Sequence, residues 1–504
     1  MQKSRTVNAK LNTVWGIVNK VITLFFPFIV RTVFIYKLGT DFLGLDSLFI
    51  SILQVLSLSE LGFSDAIVYS LYKPIANKDT NIVCALLYLI KKVYIIVGIV
   101  ILAVGLSFLP FLPMLIKGTI PAGINLYLLY IITLSNTVIS YFLSAYKNVL
   151  FIASQESRIQ LNINSITSFF KSVIQLLLLL SFANYYLYLI VVPVITIINN
   201  IFIMIESKKR YPDYSPKGDV PKNVKDEIRK NTSGMLISKI CNVTRNSLDS
   251  IVISSLIGLT SVALYNNYFL IMSSIHAMLG VFITALRGSI GNIAATENRT
   301  IVHENMLKIN FLYILITSFC FTCLICLYQP FMVLWLGTQY LLPNYIMYAF
   351  CIYFFQQCAG DIISLYSDAY GIFYQLRWKS IFETITNLIL NILLGKYFGV
   401  MGIVCATIIS IFIFSQIIAN ILIYKNCFPE IKITKYYLLS LLYFVIAIII
   451  TVVLFIFCNV ITKITLIGFI EKAAICIIGA GILYFLIYSR TSYFKYGVGV
   501  FIKK

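Results

Sequence analysis

Lys20, Arg31, Lys171, Lys239 and Arg245 interrupt stretches that are otherwise apolar for about a membrane's thickness. A cation at bilayer depth costs roughly 2.5–3.5 kcal/mol even on the mildest scale, so it must face protein or water rather than acyl chains. Several such cations turned into one hydrated cavity would hold an anion. Lys20, Thr23, Pro27 and Arg31 follow one another at helical spacing and share a face, as do Asn164, Ser168, Lys171 and Gln175. Ser238, Asn242, Arg245 and Asp249 form a third polar face, with Lys239 beside it. Each face has a structural alternative. Arg31 and Lys20 can snorkel, the Lys171 face can be an interhelical hydrogen-bond seam, and Arg245 and Asp249, four apart, can neutralise each other.

The acids suit ion coupling, since a carboxylate in a membrane segment can exchange a proton or bind a cation. Candidates are Glu60, Asp65, Asp249, Asp361 and Asp368, with charge balancing as the structural alternative. Gln357, Asp361, Ser364 and Asp368 share one face, and Glu383, Asn387 and Asn391 make an acidic counterpart to the Lys171 face. His276 is expected to be a packing or hydrogen-bonding residue. Cys320, Cys323 and Cys326 mimic the start of an iron–sulfur ligand run. No fourth ligand stands nearby in sequence, so no metal and no cofactor are expected.

These residues need helices to hold them. Hydrophobic residues make up 60% of the 504 positions and charged residues 12%, against about 25% charged in a typical soluble chain. That composition specifies an all-α polytopic membrane protein. Apolar runs such as LLYFVIAIII at 441–450 do not alternate, which excludes barrel strands. Crossings of about 20 residues fall near 12–36, 43–71, 93–114, 122–146, 159–182, 184–205, 233–257, 261–288, 307–329, 343–367, 378–397, 400–424, 436–458 and 464–489, about fourteen in all. Residues 82–90 are expected to lie along the membrane surface, with Lys91 and Lys92 at the interface. The first apolar run is too long for a signal-peptide core and is expected to remain as a helix. The net charge of +20 comes mostly from one set of loops; only Lys37, Lys117, Lys396 and Lys463 fall in the opposite set. The positive-inside rule then places both termini in the cytoplasm and makes nucleic acid an unneeded explanation for the charge. The eleven cysteines lie in apolar runs, without a disulfide framework.

The chain repeats weakly at an offset of 219 residues: Asn12-Thr13 with Asn231-Thr232, Lys20 with Lys239, Gly39 with Gly258, and Arg158 with Arg377. This predicts a six-helix lobe at 1–205, a proline-punctuated basic linker at 206–232, a second six-helix lobe at 233–425, and two further helices with a tail at 426–504. An even number of crossings per repeat gives both lobes one orientation, a known transporter plan.

The stretch RTVFIYKLGTDFLGLDSLFISILQVLSLSELGFSDAIVYSLYKPIANKD at 31–79 resembles the start of Wzx-type bacterial polysaccharide flippases, within the multidrug/oligosaccharidyl-lipid/polysaccharide exporter superfamily. The marks are the LGxxxLGL segment from Leu38 to Leu45, the LSELGF segment from Leu58 to Phe63, and the basic turn from Tyr72 to Asp79. The resemblance implies a non-enzymatic transporter in the bacterial cytoplasmic membrane. Its cargo would be an undecaprenyl-diphosphate-linked oligosaccharide, flipped by alternating access for surface polysaccharide synthesis. It further implies membrane lipid and polysaccharide polymerase machinery as partners and a monomeric chain. Alternatives are a peptidoglycan-precursor flippase, a small-molecule cation antiporter of the same fold, and, remotely, a membrane glycosyltransferase or polymerase. The last would need metal-binding carboxylates in a sizeable extramembrane loop, and the outward loops are short.

Overall fold

A computed structural model of the chain describes residues 5–57, 63–118, 120–121, 123–143, 145–461 and 465–496; Glu60 and the side chains of Asp65 and Lys239 lie outside the described residues. The described residues form helices and no strand. In order these are α1 (Arg5–Leu38), α2 (Thr40–Leu56), α3 (Phe63–Ala76), α4 (Thr80–Ser107), α5 (Leu126–Phe142), α6 (Asn148–Ala153), α7 (Ser157–Phe182), α8 (Tyr185–Arg210) and α9 (Lys222–Leu256). There follow α10 (Leu259–Thr296), α11 (Arg299–Leu336), α12 (Asn344–Ala359), α13 (Asp361–Ala369), α14 (Phe373–Ser410), α15 (Ala419–Cys427), α16 (Thr434–Val460) and α17 (Leu466–Tyr488). Each of the predicted crossings overlaps one of these helices. Among the described residues, nine helical stretches are long and apolar enough to cross a membrane. The protein is therefore an all-α, polytopic membrane protein.

Three local departures have clear causes. Residues 82–90 are not a separate segment but part of the continuous 28-residue α4, which at 1.5 Å per residue is about 42 Å long and overshoots a roughly 30 Å hydrocarbon core. Asp79 caps its start, accepting from the Ile82 amide at 3.1 Å. Span ten is broken at Gly360 into α12 and α13. Spans eleven and twelve are joined through a turn at Gly399 inside α14, and the second of them passes through a π-helical stretch at Ile411–Ile418 before α15.

Contacts group the chain into two units, Met1–Ala263 and Leu264–Lys504. In the first, α1 packs on α7, α5 on α8, and α9 on α2 and α3. In the second, α11 is the hub, packed by α12, α16 and α17. The glycines matched by the 219-residue offset play one role: Gly39 (φ 94°) joins α1 to α2, and Gly258 (φ 135°) joins α9 to α10. Both conformations favour glycine.

Residues just beyond these two joints meet within the first unit. The Thr260 hydroxyl donates to the Asp41 carboxylate, and Lys117 donates from its Nζ to the Leu256 carbonyl at 2.6 Å. A β-carbon built on Gly44 would lie 2.0 Å from the Leu259 carbonyl oxygen, so only glycine allows this approach.

Where α7 begins and α8 ends, Glu156 gathers Arg158 (3.4 Å), Arg210 (3.8 Å) and the Tyr211 hydroxyl (2.9 Å). Burial raises the Tyr211 phenol above its ordinary range. Burial, with Lys208 and Lys91 nearby, lowers Lys147.

Candidate functional site

In the first unit the polar faces converge on a residue that the sequence analysis did not single out. Asp46, on α2, feels both Arg31 of α1 and Lys171 of α7 electrostatically and accepts a hydrogen bond from the Tyr185 hydroxyl of α8 at 3.4 Å. Aromatic rings wall the group. Phe34 meets Tyr185 and Tyr188 edge-on, with centroids 5.7 and 4.8 Å apart, and Phe42 meets Tyr185 at 5.4 Å. Four helices thus supply two cations, one carboxylate and two phenols. Arg31, Asp46 and Lys171 are each of intermediate burial. The excess of cations over carboxylate lets it accept an anion, and the rings suit the flat faces of sugars.

The Lys171 face of α7 has a second use. Gln175 donates to the Tyr188 carbonyl at 3.2 Å. Asn199 of α8 donates to Asn164 at 3.0 Å and to Thr167 at 2.8 Å. The interhelical seam and the cation therefore occupy the same helix, and the seam fixes the height of Lys171.

The other predicted cations are placed differently. Lys20 is exposed; its neighbour Asn19 turns to α7 and donates to Ser165 at 3.0 Å. Arg245 and Asp249 are buried on α9, at 8% and 1% exposure. Beside them Ser247 donates to Gln54 of α2 at 3.1 Å.

In the second unit, two polar groups involve the residues singled out in the sequence. In one, Asp361 Oδ2 takes the Tyr313 hydroxyl at 2.5 Å and lies 3.0 Å from His276 Nε2. Cys358 stands close enough that one ligand atom each from His276, Cys358 and Asp361 fall within 4.8 Å of one another. His276 is thus a hydrogen-bonding residue, with a carboxylate as its partner. Asp368, on the same predicted face as Asp361, lies instead 3.7 Å from Arg287 of α10.

The other group is the acidic counterpart to the Lys171 face. Glu383 is not a lone acid: Lys379, one turn earlier, lies 2.7 Å away. Ser415, in the π-helical stretch, donates to Glu383 at 3.2 Å and accepts from Lys379 at 2.7 Å. Asn387 continues the column by donating to Thr407 at 3.1 Å, and Asn391 donates back to Asn387 at 3.2 Å. Removing one partner of a buried ion pair costs about 3–5 kcal/mol, whereas replacing both with apolar groups is often neutral. Lys379→Met alone is expected to lower the melting temperature in detergent sharply, and Lys379→Met with Glu383→Leu to recover most of the loss. An additive double variant would mean that the pair is not coupled.

No protein-family profile matches the sequence, and no curated protein matches it. Solved structures do. One titled lipid II flippase MurJ, inward closed conformation, aligns with a TM-score of 0.67 at 16% identity, covering 95% of this chain and 99% of that one. An inward-facing multidrug resistance MATE family transporter of the MOP superfamily aligns at 0.64 and 13% identity, covering 82% and 96%. A Vibrio cholerae MATE transporter aligns at 0.58 and 14%, covering 84% and 98%. The fold is that of MOP-superfamily transporters. The flippase alignment takes in more of this chain than either multidrug-transporter alignment does.

Proposed function

We propose that this protein flips a lipid-linked oligosaccharide, carried on a polyprenyl diphosphate, across the bacterial cytoplasmic membrane for surface polysaccharide synthesis. The observation that carries the reading is the meeting of Arg31 and Lys171 around Asp46 in a chain with this fold. A diphosphate is a stronger, multidentate partner for a guanidinium and an ammonium than one carboxylate is. On this reading Asp46 occupies the cations when cargo is absent and is displaced when the headgroup arrives. The basic balance disfavours a cationic drug as cargo. Transport proceeds by alternating access, both termini face the cytoplasm, and the tail of the lipid stays in the bilayer. Lys20, Lys239 and Arg245 are further candidates for contacting the headgroup. Asp361, held by His276 and Tyr313, is the group we assign to ion coupling, ahead of Asp249, Asp368, Glu60 and Asp65.

The test is a proteoliposome assay with a fluorescent undecaprenyl-diphosphate oligosaccharide, scored by its accessibility to an external quencher. Protein-dependent exchange between leaflets is expected, competed by unlabelled cargo and not by cationic dyes. No exchange, together with dye export, would replace the flippase reading by the antiporter one. Asp46→Asn gives a second expectation. Removing the resident carboxylate should tighten headgroup binding about tenfold, equivalent to about 1.4 kcal/mol, while slowing turnover because the cations no longer have a group to return to. Weaker binding in that variant would mean that Asp46 organises the cations rather than competing with cargo.

A further inference from the structure

Among the described residues, His276, Cys358 and Asp361 bring a nitrogen, a sulfur and an oxygen donor together, each within 4.8 Å of the others. All three belong to the second unit. His276 lies near the middle of α10. Cys358 sits in the last turn of α12, and Asp361 is the first residue of α13, on either side of Gly360. Three apart in sequence, the thiol and the carboxylate share a face, and the imidazole reaches them from the neighbouring helix.

The spacing suits an ion. His276 Nε2 and Asp361 Oδ2 are 3.0 Å apart. Two such donors held at about 2.0–2.1 Å by one zinc ion stand about 3.3 Å apart in a tetrahedral shell. The same spacing serves a plain hydrogen bond, and three further observations favour an ion. Cys358 is fully buried, whereas the side chains of His276 and Asp361 keep 24% and 25% exposure. The group is therefore closed on the sulfur side and open on the other, which gives an ion a way in and a place for water. Three protein ligands and one water is a recurring zinc arrangement. The Tyr313 hydroxyl of α11 donates to Asp361 Oδ2 at 2.5 Å, the kind of outer contact that orients a ligating carboxylate. Finally, one thiolate, one carboxylate and a neutral imidazole balance a divalent ion. The filled site has no net charge, and net charge is what a membrane segment penalises.

We propose that His276, Cys358 and Asp361 bind one ion of the zinc(II) class, with water as fourth ligand and Tyr313 as outer support. A mixed nitrogen, sulfur and oxygen set favours such an ion over hard cations such as magnesium or calcium, which take oxygen ligands. On binding, the Cys358 thiol loses its proton to solvent. His276 coordinates through Nε2 with its own proton on Nδ1, and no electron is transferred. Rotation of the Cys358 side chain closes the remaining gap to the other donors. Binding itself does not depend on the transport reading. Its consequence rests on the assignment of Asp361 to ion coupling made above: an ion that occupies this carboxylate stalls turnover, so zinc inhibits the protein.

The test titrates the full chain, in detergent under reducing, oxygen-free conditions, with cobalt(II) as the spectroscopic stand-in for zinc. One cobalt per chain is expected, with a thiolate charge-transfer band and the d–d bands of a four-coordinate ion. Zinc should displace it; sodium or magnesium in large excess should not. Tyr313→Phe should weaken binding about tenfold, and His276→Gln and Cys358→Ser about a hundredfold each. Cys358→Ser should also remove the charge-transfer band, and Cys84→Ser, in the first unit, should change nothing. Metal-free melting profiles report folding, and the partly exposed His276→Gln tests the site even where the buried Cys358→Ser does not fold. Absence of a band at one equivalent, a band that survives both variants, or displacement by sodium would overturn the site. In proteoliposomes, zinc at about ten times its dissociation constant fills about nine-tenths of the sites and should cut flipping of the labelled lipid about tenfold. Cys358→Ser should lose that inhibition, measured against its own zinc-free rate. Equal inhibition of parent and variant would overturn the inhibitory role. Flipping absent even without zinc would count against the transport reading and leave the cobalt result standing.

Discussion

Arg31→Met and Lys171→Met are each expected to reduce flipping of the labelled diphosphate lipid by about a hundredfold while leaving the protein in the membrane. The two cations act on Asp46 from different helices, α1 and α7. Truncating one member of a desolvated charge cluster typically costs about 2–5 kcal/mol, and about 1.4 kcal/mol is a tenfold change. The loss should appear mainly in headgroup affinity. Arg31→Lys should recover only part of it, because a point charge cannot reproduce the planar, bidentate grip of a guanidinium on phosphate. The comparison is Lys20→Met, whose side chain is exposed; a smaller effect is expected there. Equal and full activity in Arg31→Met and Lys171→Met would remove the proposed binding site, even if the chain still moved lipid.

Gly44→Ala is expected to shift the protein away from the conformation described here and to cut transport at least tenfold. A methyl group at position 44 would have to share space with the Leu259 carbonyl, 2.0 Å from the new carbon. That obstacle is backbone, so no side chain can rotate out of the way. Overpacking of this kind costs about 1–3 kcal/mol, and about 2 kcal/mol changes the ratio of two conformers by about thirtyfold. The measurement is a cross-link. Asp41→Cys with Thr260→Cys should form a disulfide readily in the parent, because the native side chains hydrogen-bond to each other. That cross-link should stop transport until it is reduced. Adding Gly44→Ala should lower its yield. An undiminished yield would show that the joint accommodates the methyl group and that this contact does not set the conformational balance.

The helical architecture was legible because the apolar runs are long and because proline and glycine mark their ends. Pro110 and Pro113 terminate α4 through a 3-10 turn, and Gly399 separates spans eleven and twelve. The break expected between 82–90 and the third span is absent. Lys91 and Lys92 suggested an interface, but the helix continues through them, with Lys91 partly buried and Lys92 exposed. Arg31 and Lys171 were visible as cations out of place. Asp46 was harder to see: it lies inside the LGLDS stretch that carried the family resemblance, and an acid near the start of a helix looks like a cap. Its importance comes from α7 and α8, more than a hundred residues away. Lys379 was likewise hidden, since a lysine near a predicted helix end is ordinary until Glu383 and Ser415 are placed beside it.

The contact between Asp41 and Thr260 spans 219 residues, the same interval that relates Lys20 to Lys239 and Gly39 to Gly258. Two positions at that interval therefore touch each other, and they carry a complementary pair, an acid that accepts and a hydroxyl that donates. A substitution at either one strands the other, so the two must change together.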